Sequence, residues 1–210
     1  MRLRRELGLP DLSPAHRLDR VTAGVLLFVV RRERRGAYQT LFRDRRVGKT
    51  YEAVAPHDPA LQLPRTVRSR IVKERGVILA REVPGPPNAE TRVELLEHRD
   101  GLARYLLTPL TGRTHQLRLH LRGLGVPILG DRFYATSGEA SSGDHTMPAD
   151  TALDDFTRPL QLLATVLELP DPATGVVRRF TSRRTLQAWT DPAGWAAGAL
   201  DQQVSVSSKE

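Results

Sequence analysis

Apolar positions along the chain fall mostly into short runs that alternate with polar ones, the two-residue period of a half-buried strand. Lys49-Thr50-Tyr51-Glu52-Ala53-Val54 alternates in this way. Residues 67–71 and 77–80 predict a hairpin around Lys73-Glu74-Arg75-Gly76. Residues 91–96 and 103–108 predict two further strands, joined by a turn at Arg99-Asp100-Gly101. Residues 161–169 and 176–181 flank the turn Asp171-Pro172-Ala173-Thr174-Gly175 as another pair. Links this short make the pairings antiparallel. The continuous run Val25-Leu26-Leu27-Phe28-Val29-Val30 has the length and composition of one more strand.

Helical spacing is rarer. Residues 31–46 place Ala37, Tyr38, Leu41 and Phe42 on one face and a dense set of arginines on the other. That second face suits either a solvated surface or contact with phosphates. Leu117, Leu121 and Leu124 predict a helix capped by Thr111 or Thr114. Residues 1–15 hold one possible helical turn, and 187–200 predict a short helix. The pattern implies an α+β fold: a mixed, largely antiparallel sheet flanked by helices. It reads as a single domain over 1–199, with a frayed tail at 200–210. Residues 136–157 interrupt it with small, polar and acidic residues and no lysine or arginine, the composition of a mobile surface loop.

Charge narrows the partner. The chain of 210 residues carries a net +8, and 26 of its 32 basic residues precede Thr136. Only three of the 32 are lysines, and arginine's planar fork suits phosphates and stacks on bases. A GC-rich genome would raise the arginine share throughout without concentrating it, so a polyanionic partner is expected. With no cysteine there is neither a disulfide framework nor a thiolate metal site. There is no apolar run of membrane-spanning length and no signal-peptide pattern at the start, which makes cytoplasmic residence the expectation.

The stretch His16-Arg17-Leu18-Asp19-Arg20-Val21-Thr22-Ala23-Gly24 carries the candidate chemistry. It sets Asp19 between two arginines at the mouth of an apolar run. A carboxylate among cations suits a nucleophile better than a general acid. By spacing alone, an ordinary ion pair at a strand end is the better account of it. Tyr51 is by its pattern a half-buried aromatic, or a base-stacking platform if it faces the same cleft. His115 and His120 are five residues apart, about 140° around a helix, a poor spacing for sharing a metal. The chain has no glycine-rich phosphate loop and no serine in a nucleophile elbow.

Taken together, these stretches resemble the RluA-type pseudouridine synthase family. Residues 16–24 are similar to its motif H-R-L-D-x-x-T-S-G, with Ala23 in place of the serine. Lys49-Thr50-Tyr51-Glu52-Ala53 resembles its K-x-Y-x-A strand. Residues 110–120 resemble its G-R-x-H-Q-[IL]-R motif, and 127–134 the segment after it. The four motifs occur in family order, and the resemblance covers roughly residues 12–182.

The resemblance implies a pseudouridine synthase catalytic fold that isomerises uridine in structured RNA, ribosomal RNA first and transfer RNA second, without cofactor or metal. It implies that Asp19 is the catalytic aspartate, by attack on the flipped nucleotide or by abstraction of a ribose proton. Arg118 would pair with Asp19. Tyr51 would stack on the uracil and assist removal of the C5 proton. Arg17 would fill the gap left in the base stack, and Arg113 and His115 would also contact substrate. The family's K-P-x-G-L-x-V strand lies some tens of residues before its aspartate. Only 18 residues precede Asp19 here, so N-terminal strands are expected to be missing, and no S4-type RNA-binding domain is expected. The enzyme would act as a monomer. The alternatives are a truncated domain that binds RNA without turning it over, and a metal-independent hydrolase using Asp19 with a histidine.

Overall fold

The computed structural model describes residues 2–135 and 156–198. A short helix α1 (Arg2–Glu6) leads into two-residue strands β1 (Ser13–Pro14), β2 (Ala23–Gly24) and β3 (Phe28–Val29). Helix α2 (Arg35–Arg43) follows, and then the antiparallel strands β4 (Gly48–Pro56), β5 (Arg65–Val72), β6 (Arg81–Val83), β7 (Ala89–Arg99) and β8 (Leu102–Pro109). Helix α3 (Gln116–Gly123) precedes β9 (Leu162–Pro170) and β10 (Val177–Thr181), and α4 (Gln187–Thr190) and α5 (Pro192–Ala197) close the described chain. The main sheet runs β10-β9-β4-β8-β7-β5-β6, and β2 joins it in parallel along β9. This is the expected α+β architecture.

Alternation explains the sheet. In β8, Ala103, Tyr105 and Leu107 are buried, while Arg104 and Leu106 between them are only partly so. In β4 the alternation gives way to three fully buried residues, Ala53, Val54 and Ala55, because this central strand is covered on both faces. On one face Ala53, Ala55, Tyr105 and Leu107 pack against Leu117 and Leu121 of α3. On the other, Val54 and Leu163 meet Leu186, Ala188 and Trp189. Helix α2 buries Leu41 against Leu167 and Leu169 of β9, leaving its arginine face outward.

Several local expectations need correction. Residues 25–30 do not form one strand. The Val25 N–H goes to the Ala164 carbonyl (3.0 Å) and the Leu27 N–H to His16 Nε2 (3.0 Å), so the backbone is spent on neighbours other than a continuous ladder. Residues 13–14, in a stretch expected to hold only a helical turn, pair with β3. The hairpin partner of β5 is residues 81–83, not 77–80, which form an irregular connector after the turn at Arg75-Gly76. Neither Thr111 nor Thr114 caps α3. His115 occupies the cap position in a left-handed conformation, φ 57°. The helix expected over 187–200 breaks at Asp191-Pro192 into α4 and α5, with Asp191 capping the second through Gly194 N (2.9 Å). The acidic segment 136–157 lies outside the described residues except for Phe156 and Thr157, and the tail 200–210 lies outside them entirely.

Candidate active site

A cleft of about 540 Å³ opens where the 16–24 loop, the β4 face and the turn before α3 meet. The loop is pinned at both ends. His16 stacks on Phe42 of α2 with ring centroids 4.6 Å apart, and its Nε2 accepts the Leu27 N–H. Burial pushes this imidazole down to about pH 4, with the Lys49 charge acting in the same direction, so it is a neutral post and not a proton carrier near pH 7. At the other end Gly24 lies in β2 with φ 113°, pressed against β9. A Cβ there would stand 2.2 Å from the Ala164 carbonyl oxygen, which only glycine avoids. Asp19 sits between these anchors, half-buried, its carbonyl accepting the Thr22 N–H (2.9 Å) in a turn.

Tyr51 approaches from the sheet. It registers on Ala164 of β9, the residue that Gly24 meets from the other side, so the loop and the tyrosine are set one strand apart. Burial, and then the charge of Asp19, push the Tyr51 phenol up to about 12. Two residues before it on the same strand face, Lys49 donates to the Thr111 carbonyl (3.3 Å).

The third wall comes from α3, whose residues 116–121 are all buried. Its polar members are satisfied in a chain. Gln116 accepts from the Thr111 hydroxyl (2.7 Å) and the Arg113 N–H (3.0 Å), and donates to the Glu90 carbonyl and the Thr91 hydroxyl (2.9 Å each). Thr91 can then donate to His120 Nδ1 (2.9 Å), leaving His120 Nε2–H for Ser69 Oγ (3.1 Å). Burial pushes His120 down to about 4.

Arg118 has a different carboxylate partner from the expected one. It holds Asp131 as a bidentate pair, Nε to Oδ2 at 2.7 Å and Nη2 to Oδ1 at 2.6 Å, and no ion pair joins it to Asp19 among the described residues. A guanidinium bound through both Nε and Nη2 to the two oxygens of one carboxylate is the strong, charge-assisted form of such a pair. Asp131 Oδ1 also accepts the Phe133 and Tyr134 N–H groups (3.0 Å each), and the Arg118 guanidinium lies 4.9 Å from the Tyr134 ring centroid. The Tyr134 hydroxyl donates to the Ala80 carbonyl (2.8 Å) and accepts from His115 Nδ1 (2.8 Å). Burial and the Arg118 charge lower the His115 pKa, with Asp19 and Asp131 opposing them.

Of the residues singled out from the sequence, Arg17, Asp19, Tyr51, Arg113 and Arg118 all line the cleft. His115 is not among its lining residues and is tied instead to Tyr134, within electrostatic reach of Asp19. Residue spacing did not single out Lys49, Thr22, Asp131 or Tyr134. Lys49 and Thr22 line the cleft, and the other two hold Arg118 and His115. The only sequence signal for these residues was their membership of the motifs around Tyr51, Asp19 and Gly130.

The family model described as RNA pseudouridylate synthase matches residues 1–122. An uncharacterised RNA pseudouridine synthase of Haemophilus influenzae is 32% identical over 135 residues, 64% of this chain and 60% of that protein. The dual-specificity RNA pseudouridine synthase RluA of Escherichia coli K12 is 35% identical over 139 residues, covering 60% of this chain and 59% of its own length. RluA of Salmonella typhimurium is 33% identical over 178 residues, 79% of this chain and 70% of the relative. The chain thus spans about three fifths of the length of the first two relatives. Among solved structures, human RNA pseudouridylate synthase domain containing 1 superposes with a TM-score of 0.63 at 26% identity, over 90% of this chain and 82% of that one.

Proposed function

Because the chain belongs to the RNA pseudouridylate synthase family, on its RluA-type branch, we propose that it isomerises uridine to pseudouridine in structured RNA, with Asp19 as the catalytic residue. The observation that carries the reading is the meeting of Asp19 and Tyr51 in one cleft, close enough for the aspartate's charge to raise the phenol's pKa.

The chemistry asks for such a cleft. C1′ and C5 of a uridine cannot be reached inside a helix, so the nucleotide has to leave the stack. Asp19 then attacks C1′ or takes a ribose proton, and the C1′–N1 bonding pair leaves with the uracil. The uracil turns and C5 bonds to C1′ as the bond to Asp19 breaks or the ribose proton returns; the C5 proton goes to solvent and N1 takes up a proton. Tyr51, protonated at neutral pH, offers its ring as a stacking surface while the base turns. Arg17 is exposed at the mouth of the cleft, placed to enter the vacated stack. Arg118, held rigidly by Asp131, and Arg113 supply cationic walls. His115 supports the site through Tyr134.

Ribosomal RNA is the first substrate to test and transfer RNA the second. Relatives are named dual-specificity RNA pseudouridine synthases, which supports assaying more than one RNA. The test is release of tritium from RNA carrying 5-tritiated uridine. The parent releases label, and Asp19→Asn binds RNA with the same affinity but releases none. Equal release by both proteins removes Asp19 from the mechanism.

A further inference from the structure

We propose that Lys49 and Arg45 form a binding site for one backbone phosphate of the RNA, at the side of the cleft next to the reacting nucleotide. The inference rests on the reading of the chain as an RNA-modifying enzyme and adds to it the residues that grip the backbone.

Lys49 stands two residues before Tyr51 in β4, so both side chains leave the same face of the strand and both line the cleft. Its ammonium has three donors, and the one hydrogen bond it makes among the described residues is to the Thr111 carbonyl, at 3.3 Å. No ion pair joins it to a described carboxylate. Gly112 lies beside it without a side chain to cover it. A Cβ there would sit 3.6 Å from Lys49 Nζ. Burying an ammonium without a counter-charge is costly, and that cost lowers the Lys49 pKa, with the Arg45 charge adding to the effect. Two cations therefore line one side of the cleft, and neither is paired with a carboxylate among the described residues. That arrangement favours a monoanion with several acceptor oxygens, and a phosphodiester is the anion that an RNA substrate brings.

Arg45 reaches the site by an unusual backbone. The Arg46 N–H closes the end of α2 on the Leu41 carbonyl (2.9 Å), which leaves Arg45 left-handed with φ 56°. Glycine is the usual residue at such a helix end, and an arginine there gives up stability. Its neighbour Arg43 is engaged by Asp44 (2.8 Å), whereas Arg45 makes no ion pair among the described residues. A charged side chain kept in a position that favours glycine, unpaired and lining the cleft, fits a ligand contact better than a helix stop.

The test is fluorescence anisotropy of a labelled uridine oligomer, titrated across a series of salt concentrations with the whole chain. Each phosphate contact removed from a single strand lowers the magnitude of the log–log salt slope by about 0.7. Lys49→Met and Arg45→Gly are each expected to lose about that much, and Lys49→Arg to keep the parent slope. Arg92→Gln, which removes an exposed arginine paired with Glu94, serves as the control and keeps it too. Arg45→Gly is further expected to raise the melting temperature while it weakens RNA binding, a combination that a purely structural arginine does not produce. Parent slopes in both Lys49→Met and Arg45→Gly overturn the site. Tritium release is measured separately on the parent. An active parent with unchanged slopes in both variants removes the phosphate site alone. An inactive parent with the expected slope changes removes the isomerase reading and leaves the site standing.

Discussion

Arg118 and Asp131 face each other as a two-bond pair at 2.6 and 2.7 Å, with side chains only 2% and 1% exposed. Breaking such a pair from one side leaves a charge buried without its partner, at a cost of about 3–5 kcal/mol. Asp131→Ala also frees the Phe133 and Tyr134 N–H groups. The expected result is a loss of stability in that range by urea denaturation, together with loss of tritium release, because Arg118 no longer holds its place in the cleft wall. A variant within about 1 kcal/mol of the parent shows that the pair does not anchor the site.

Gly24 and Gly36 make opposite predictions for the same substitution. Gly24→Ala drives a methyl group into the Ala164 carbonyl at φ 113°, so either β2 leaves β9 or the 16–24 loop shifts. Destabilisation of at least ~2 kcal/mol is expected, with Asp19 displaced and activity lost. Gly36 is in α2, where an added Cβ would meet nothing within 4 Å, so Gly36→Ala should gain about 0.5–1 kcal/mol and leave turnover unchanged. Thermal melts and tritium release on the two variants check both halves, and equal effects at the two positions contradict the role of Gly24 as the loop's anchor.

The sheet was legible where alternation was backed by turn chemistry. Residues 49–54, 91–96 and 103–108 lie within β4, β7 and β8, with the turn at Asp100-Gly101 where both residues take positive φ. Legibility failed where backbone groups found irregular partners. The apolar run 25–30 could not announce that Val25 and Leu27 would bond to Ala164 and His16. Within the site, Asp19 and Tyr51 were visible because the motifs name them, but the partner of Arg118 was not. Choosing Asp131 over Asp19 depends on how the turn after α3 folds back, and that is a property of packing and not of spacing.

His120 predicts an acid-side loss of stability. Its pKa is about 4 in the fold and about 6.5 when unfolded, so between those values the unfolded chain binds more protons. The stabilisation is therefore complete above pH 6.5 and falls as pH drops towards 4, by as much as ~3 kcal/mol. His16, also near 4, acts in the same window and direction. His120→Gln is expected to be less stable than the parent at pH 7, because it cannot reproduce both bonds to Thr91 and Ser69, yet to show a shallower decline between pH 6.5 and 4. Urea midpoints at half-unit pH steps measure this, and parallel curves for parent and variant mean that His120 does not titrate with unfolding.

Tyr51 separates stacking from proton transfer. With its phenol raised to about 12, the hydroxyl stays protonated at every pH where RNA is intact enough to assay, so its ring is the part expected to matter. Tyr51→Phe keeps the ring on β4 and should retain RNA affinity, with tritium release within about tenfold of the parent. Tyr51→Ala removes a base-stacking surface worth about 1–3 kcal/mol and should lose a corresponding factor in affinity or turnover. The decisive comparison is the single-turnover rate of the two variants at saturating protein. If Tyr51→Phe binds RNA normally but is as inactive as Asp19→Asn, the hydroxyl takes part in the chemistry and the stacking account of Tyr51 is wrong.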